Sequence, residues 1–222
     1  MLKLINKFKF IFMLIFSIAL SGCEAAKFDY TAFKASKPSS ILVLPPLNES
    51  VDVNASSAVY SSVIAPLSES GYYVFPPTLV METFKQNGLT EARPIHDISL
   101  SKLNEIFGAD AVLYMNIKKF GQSYSIITSA NVVSLEAYLV DAKTGAEIWR
   151  GQAVASSDEN NSNNNMGLAG LLVSAVIKQV AGQIFDAGFP TSKVANSRLL
   201  FAKTPNSLLY GPRHEKFGTN GQ

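Results

Sequence analysis

The sequence predicts an α/β fold. A mixed sheet opens strand–helix–strand–helix with parallel neighbours and closes in an antiparallel meander, followed by a long apolar C-terminal helix and an irregular arm. Three observations predict it. The pattern strand, Pro-Pro, helix occurs twice, at Ile41–Leu44 with Pro45-Pro46 and at Tyr72–Phe75 with Pro76-Pro77. Asp141-Ala142-Lys143-Thr144-Gly145 is a hairpin turn between two strand-like stretches. Met166–Phe185 is a nearly continuous apolar run of helical length. Strand–helix alternation implies parallel neighbours with crossover helices, and a tight turn implies antiparallel ones.

The chain begins with an export signal. Lys3, Lys7 and Lys9 precede an apolar stretch from Phe10 to Leu20, and no acidic residue occurs before Glu24. The apolar stretch is short for a membrane span. It ends in Leu20-Ser21-Gly22-Cys23, and Cys23 is the only cysteine. Small residues followed directly by cysteine form the lipoprotein variant of the cleavage site, where the thiol takes a diacylglyceryl thioether before cleavage. The diacylglyceryl group together with an N-linked acyl chain supplies the more than one chain that stable anchoring needs. Cys23 is thus the expected lipidated first residue of the mature chain. The thiol is consumed, so no disulfide is expected despite an oxidising compartment. Glu24, where aspartate would signal inner-membrane retention, points to the outer membrane.

Loss of residues 1–22 removes three of the 19 basic residues, leaving 16 against 17 acidic. The mature body is near neutral, so nothing suggests nucleic acid as a partner. The expected organisation is a signal peptide over 1–22, a lipidated tether over 23–39, a single α/β domain over 40–186 and an irregular C-terminal arm over 187–222.

Residues 24–38 read as the tether, with Phe28, Tyr30 and Phe33 able to dock on the domain. Ile41–Leu44 is wholly apolar and suits a strand covered on both faces. Asn54 is positioned to cap a helix running to about Glu69, with Val59, Val63 and Leu67 on one side and Pro66 kinking its last turn. Gly71 stops it, and Tyr72–Phe75 is the second strand. Thr78–Gln86 is a helix closed by Asn87-Gly88, and a short helix near Leu100–Phe107 ends at Gly108. Ala111–Ile117 is the third strand. Residues 123–140 form one long strand pattern, with a bulge or bend expected at Ser129-Ala130-Asn131. Glu147–Ala155 returns beside it, with Ile148 and Trp149 on opposite faces. Glu159–Asn165 is a low-complexity polar loop. In the apolar run that follows, Lys178 near the middle argues against a membrane span.

Few residues carry chemistry. His96-Asp97 could orient an imidazole as a general base, but the other histidine, His214, lies far away in the tail, and no Gly-x-Ser-x-Gly elbow occurs. Two distant histidines and scattered carboxylates make no metal cluster. Gly167-Leu168-Ala169-Gly170 lacks the lysine of a phosphate-binding loop. Trp149 fits a core position better than a ligand platform. No catalytic residue, metal or cofactor is expected.

Four stretches together, APLSESGYYVFPPTLVMETFKQNGL, FGADAVLYMNI, LVDAKTGAEIW and LLYGPRH, resemble a family of bacterial outer-membrane lipoproteins of unknown biochemical function, whose member in Neisseria is a surface-antigen vaccine candidate. The likeness runs from about Ile41 to His214. It implies a fold similar to the N-terminal domain of the translocation protein TolB and to the periplasmic domain of the curli-secretion channel lipoprotein. It also implies a role in envelope assembly or transport. The family supplies no catalytic residues, and the Asn-rich loop at 160–165 looks like a local elaboration. The expected function is a non-catalytic interaction or assembly module anchored in the outer membrane and facing the periplasm. Its expected partners are the membrane, another envelope lipoprotein or channel, or a second copy of itself. The alternatives are an envelope enzyme acting on peptidoglycan or lipid through His96 or Asp97, and a passive ligand carrier.

Overall fold

Strand β1 (Ser40–Val43) is the centre of the parallel half of the sheet, lying between β3 (Tyr73–Val74) and β4 (Ala111–Tyr124) and parallel to both. The computed structural model describes residues 28–124, 129–157, 188–203 and 207–219. Cys23 and its cleavage motif, the Asn-rich loop and the apolar run 166–185 lie outside them. β5 (Ser129–Asp141) and β6 (Glu147–Ser156) complete an antiparallel meander, giving the order β3-β1-β4-β5-β6. The predicted α/β class, with a mixed sheet parallel in its first half and antiparallel in its second, is the observed one.

Alternate side chains of β1 enter two separate cores. Ile41 and Val43 belong to the larger, with Val59, Leu67, Leu113, Leu135, Trp149 and Leu199. Leu42 and Leu44 belong to the smaller, with Val80, Phe84, Ile95, Leu103 and Val112. The four side chains Ile41 to Leu44 have no exposed surface, as expected of a strand between two helical layers. The first layer comprises α1 (Thr31–Ser36), α2 (Ala55–Ser61), α3 (Ile64–Glu69) and α7 (Gly188–Leu200). The second comprises α4 (Pro77–Gln86), α5 (Ala92–His96) and α6 (Leu100–Phe107). It covers the parallel half and reaches β5 only next to the turn, at Val140 and Ala142 with Tyr138 at its edge, and over the rest of the meander Glu136, Arg150, Gln152 and Val154 are exposed.

Several expectations are corrected. Pro45-Pro46 interrupts the first strand rather than ending it. The prolines have no N–H for the ladder, which resumes at β2 (Leu47–Asn48) beside Asn116 and Ile117 of β4. The helix expected from Asn54 to Glu69 is two helices. Pro66 cannot donate to the carbonyl of Ser62, four residues back, so the break falls at Ser62, which caps α2, not in the last turn. Asn54 makes no side-chain cap, and its own N–H donates to Asp52 Oδ1 at 2.8 Å. The stretch 123–140 is not one bent strand. Tyr124 pairs with Ser129, so the chain reverses between them. The irregularity in β4 lies between Ile117 and Lys119 instead.

Three further helices were not anticipated, α5 (Ala92–His96), where a loop was expected, among them. α1 occupies the expected tether, with Phe33 only 4% exposed in the larger core. α7 lies in the expected irregular arm; Pro190 sits in its first turn, where a missing N–H costs nothing. The turn at Asp141 is as expected. Its carboxylate accepts from the N–H groups of Lys143 and Thr144, and Gly145 has φ +75°.

Candidate interaction surface

One face of the meander carries a row of aromatic and charged side chains in cross-strand register, running from Tyr114, buried at the edge of the smaller core, through half-buried Tyr138 to exposed Arg150. Tyr114 of β4 pairs with Tyr138 of β5, which pairs with Arg150 of β6. The tyrosine rings stack at 4.9 Å, and the Arg150 guanidinium lies 5.2 Å from the Tyr138 ring centroid. Glu147 holds Arg150 through bonds of 2.9 and 2.6 Å from Nε and Nη2. At the other end, His96 packs edge-on against Tyr114 at 5.3 Å. Burial pushes the Tyr114 hydroxyl up to about 12 and raises Tyr138 too, so both phenols are neutral donors at physiological pH.

A one-residue register shift places this row. Between Leu139 and Val140 the pairing slips, so Leu139 faces Trp149 and Tyr138 faces Arg150. Without the slip Trp149 would stand opposite Tyr138. The bulge also puts Ile148 and Trp149 into the same core, correcting the expectation of opposite faces. Trp149 is a fully buried core residue.

The next row is Asn116, Glu136 and Gln152. Beside it stands the loop that follows β2. Glu49 accepts from Lys118 Nζ and from Asn116 Nδ2, each at 2.6 Å, and these bonds hold its carboxyl below the ordinary range. The loop has internal ties as well. Asn48 Oδ1 accepts from the N–H and hydroxyl of Ser50 at 2.9 and 2.7 Å, and Asn48 Nδ2 donates to the Asp52 carbonyl at 2.8 Å. On this tied frame Val51 is 100% and Val53 87% exposed. A slack loop would expose valines by default; this one presents them from a hydrogen-bonded turn.

The residues weighed for catalysis are placed otherwise. His96 Nε2–H donates to the Pro45 carbonyl at 2.9 Å, clamping α5 to the Pro-Pro interruption. Burial holds its pKa below the ordinary value, against that hydrogen bond and the nearby Asp97. His214 stacks on Tyr210 at 4.0 Å, and its Nδ1 accepts the Lys216 N–H. Tyr72 donates its hydroxyl to the Leu209 carbonyl at 2.5 Å. Among the described residues no group of three or more His, Cys, Asp or Glu side chains is placed to hold a metal. None of their helices is long and apolar enough to cross a membrane. The open face therefore offers a half-buried tyrosine, a guanidinium, carboxylates and two projecting valines, which are means of non-covalent recognition.

Neither row was legible beforehand, because each depends on pairing across a hairpin and a bulge. The signal available was a tyrosine and an arginine placed on either side of the Asp141–Gly145 turn.

Comparison with known proteins gives the family. Residues 28–213 match the family described as "Putative lipoprotein GNA1162-like". The chain is 53% identical over 199 residues to "Putative lipoprotein NMB1124/NMB1162" of Neisseria meningitidis serogroup B, spanning 88% of this chain and 92% of that one. The crystal structure of lipoprotein GNA1162 from Neisseria meningitidis, also 53% identical, superposes with a TM-score of 0.54 over 66% of this chain and 100% of that one. The chain belongs to the GNA1162-like lipoprotein family.

Proposed function

We propose that this lipoprotein is a non-catalytic interaction module. It is lipidated on Cys23, held in the outer membrane with its body in the periplasm, and works in envelope secretion or assembly. The observation that carries the reading is the loop Glu49–Asn54. It is fixed by its own hydrogen bonds and by Glu49–Lys118, yet leaves Val51 and Val53 bare beside an uncovered sheet face. Exposed apolar side chains on a rigid support, rimmed by polar groups, are what a protein partner buries. Membership of a lipoprotein family supports the anchor. The small residues before the sole cysteine identify where it attaches.

Site-specific photocrosslinking in intact cells tests the reading. With the photoreactive residue at Val51 or Gln152, the expected product is a discrete adduct with another envelope lipoprotein or channel, or with a second copy. Recovery of the monomer alone from both positions overturns it. Separately, labelled palmitate should enter the wild-type chain and fail to enter Cys23→Ser.

A further inference from the structure

We infer that the face formed by α1 and the C-terminal arm lies on the anionic phospholipid of the bilayer that holds the anchor. The inference rests on lipidation of Cys23 and deepens that reading. Only residues 23–27 separate the anchor from Phe28, and five residues span about 17 Å at full extension. From Phe28 onward the chain is tied down. Phe28 and Tyr30 pack against the larger core and Phe33 enters it, while the Tyr30 hydroxyl donates to the Ser207 carbonyl. The anchor therefore arrives at one place on the body.

That place suits a lipid surface. Between α1 and the arm is a groove of about 340 Å³, floored by Phe33, Tyr72, Leu209 and Tyr210 and rimmed by Lys34 and Lys37. Phe217, 45% exposed, stands at its edge. Lys37 stands there in a left-handed backbone conformation, φ +46°, which non-glycine residues seldom adopt. Arg213 Nη1 donates to the Ser39 carbonyl at 2.8 Å, next to Pro38 at the groove's rim, and Lys216 precedes Phe217 in the arm. The acids around the groove are engaged or paired: Asp29 accepts from the N–H and hydroxyl of Thr31, Asp141 from the Ser36 hydroxyl and Asp110 from the N–H groups of Ser39 and Ser40, while Glu215 adjoins Lys216. Lysines over an apolar floor lay their stems along it and hold their ammonium groups at phosphate level. With so short a tether, the bilayer is the surface always within reach. Val51 and Val53 follow the far end of the β1–β2 line, while Lys37 and Pro38 precede its near end, so this orientation leaves the valines pointing away from the membrane.

The full lipidated chain, reconstituted into vesicles of phosphatidylethanolamine mixed with phosphatidylglycerol, tests this. Cys23 is consumed by the anchor, so Phe217→Cys or Val51→Cys provides a single labelling site for an apolar environment-sensitive fluorophore. The expected result is blue-shifted emission, quenched by brominated lipid, at position 217 and aqueous emission at position 51. Each lysine near an anionic surface should favour the docked state about fivefold. Lys34→Glu with Lys37→Glu, or high salt, should therefore release the label at 217. Aqueous emission at 217 in protein that floats with the vesicles overturns the docking while the anchor stands. Quenching at 217 that charge reversal leaves unchanged overturns anionic lipid as the occupant. Protein that neither floats nor carries palmitate overturns the anchor, and the docking with it.

Discussion

Gly71 and Gly211 meet where two stretches of chain, 140 residues apart in the sequence, cross at closest approach. Gly71 has φ +92°, and a Cβ there would stand 2.6 Å from the Cβ and N of His214; one on Gly211 would stand 2.6 Å from the Gly71 carbonyl oxygen. The crossing is sealed by Gly211 N–H donating to Ser70 O at 2.7 Å and Arg213 N–H to Gly71 O at 3.2 Å. Gly71→Ala and Gly211→Ala should each lower the unfolding free energy by about 2–4 kcal/mol in urea titrations. The double variant should lose less than the sum, since either change already lifts the arm. His96 gives a pH signature. Its folded pKa lies below the ordinary 6.5, so as pH falls through that value the unfolded chain binds the proton first. Stability should therefore be flat above the ordinary pKa and decline from there down to the lowered folded pKa. His96→Gln should flatten that decline, measured as urea midpoints across about pH 5–8.

Elements announced by their own residues were legible, and elements set by their neighbours were not. α6 has the predicted bounds: Ser99 accepts the Lys102 N–H at its start, and Gly108 turns left-handed at its end. α4 begins one residue earlier than expected, with Pro77 at its first position. The hairpin of β4 and β5 was hidden because strand-forming residues lie on both sides of the reversal, leaving only the four positions between Tyr124 and Ser129 to betray it. The bulge at Ile148 was hidden because it adds one residue to a strand and leaves the composition unchanged. Its partner device is Gly151, where a Cβ would fall 2.4 Å from Trp149 Cζ2. Gly151→Ala should displace the indole, red-shifting the emission of the sole tryptophan and destabilising by about 1–3 kcal/mol. α1 is too short to stand alone and depends on Phe33. Phe33→Ala should cost about 3 kcal/mol and expose Lys34 and Lys37 to trypsin, while the Trp149 emission stays unchanged.

The whole molecule has one cysteine, at position 23, so no disulfide within the chain can contribute to its stability. Packing on the two faces of one sheet carries it, and the thermal midpoint should be the same with and without reductant. The two cores differ in extent. The larger runs along the whole sheet, whereas the smaller reaches no further into the meander than Tyr138, Val140 and Ala142. That asymmetry leaves the meander bare on one face, and it is the feature of the candidate surface that composition could not reveal.

β4 starts beside β1, at the end where α1 enters, and runs 14 residues to Tyr124, roughly 45 Å for extended chain. A body standing on its α1 end would carry that ladder upright, as a post of set height. Removing one residue pair from each strand would shorten the post by about 7 Å without turning any side chain to the wrong face. The distance between the lipid and whatever touches the top is thus written in the number of rungs.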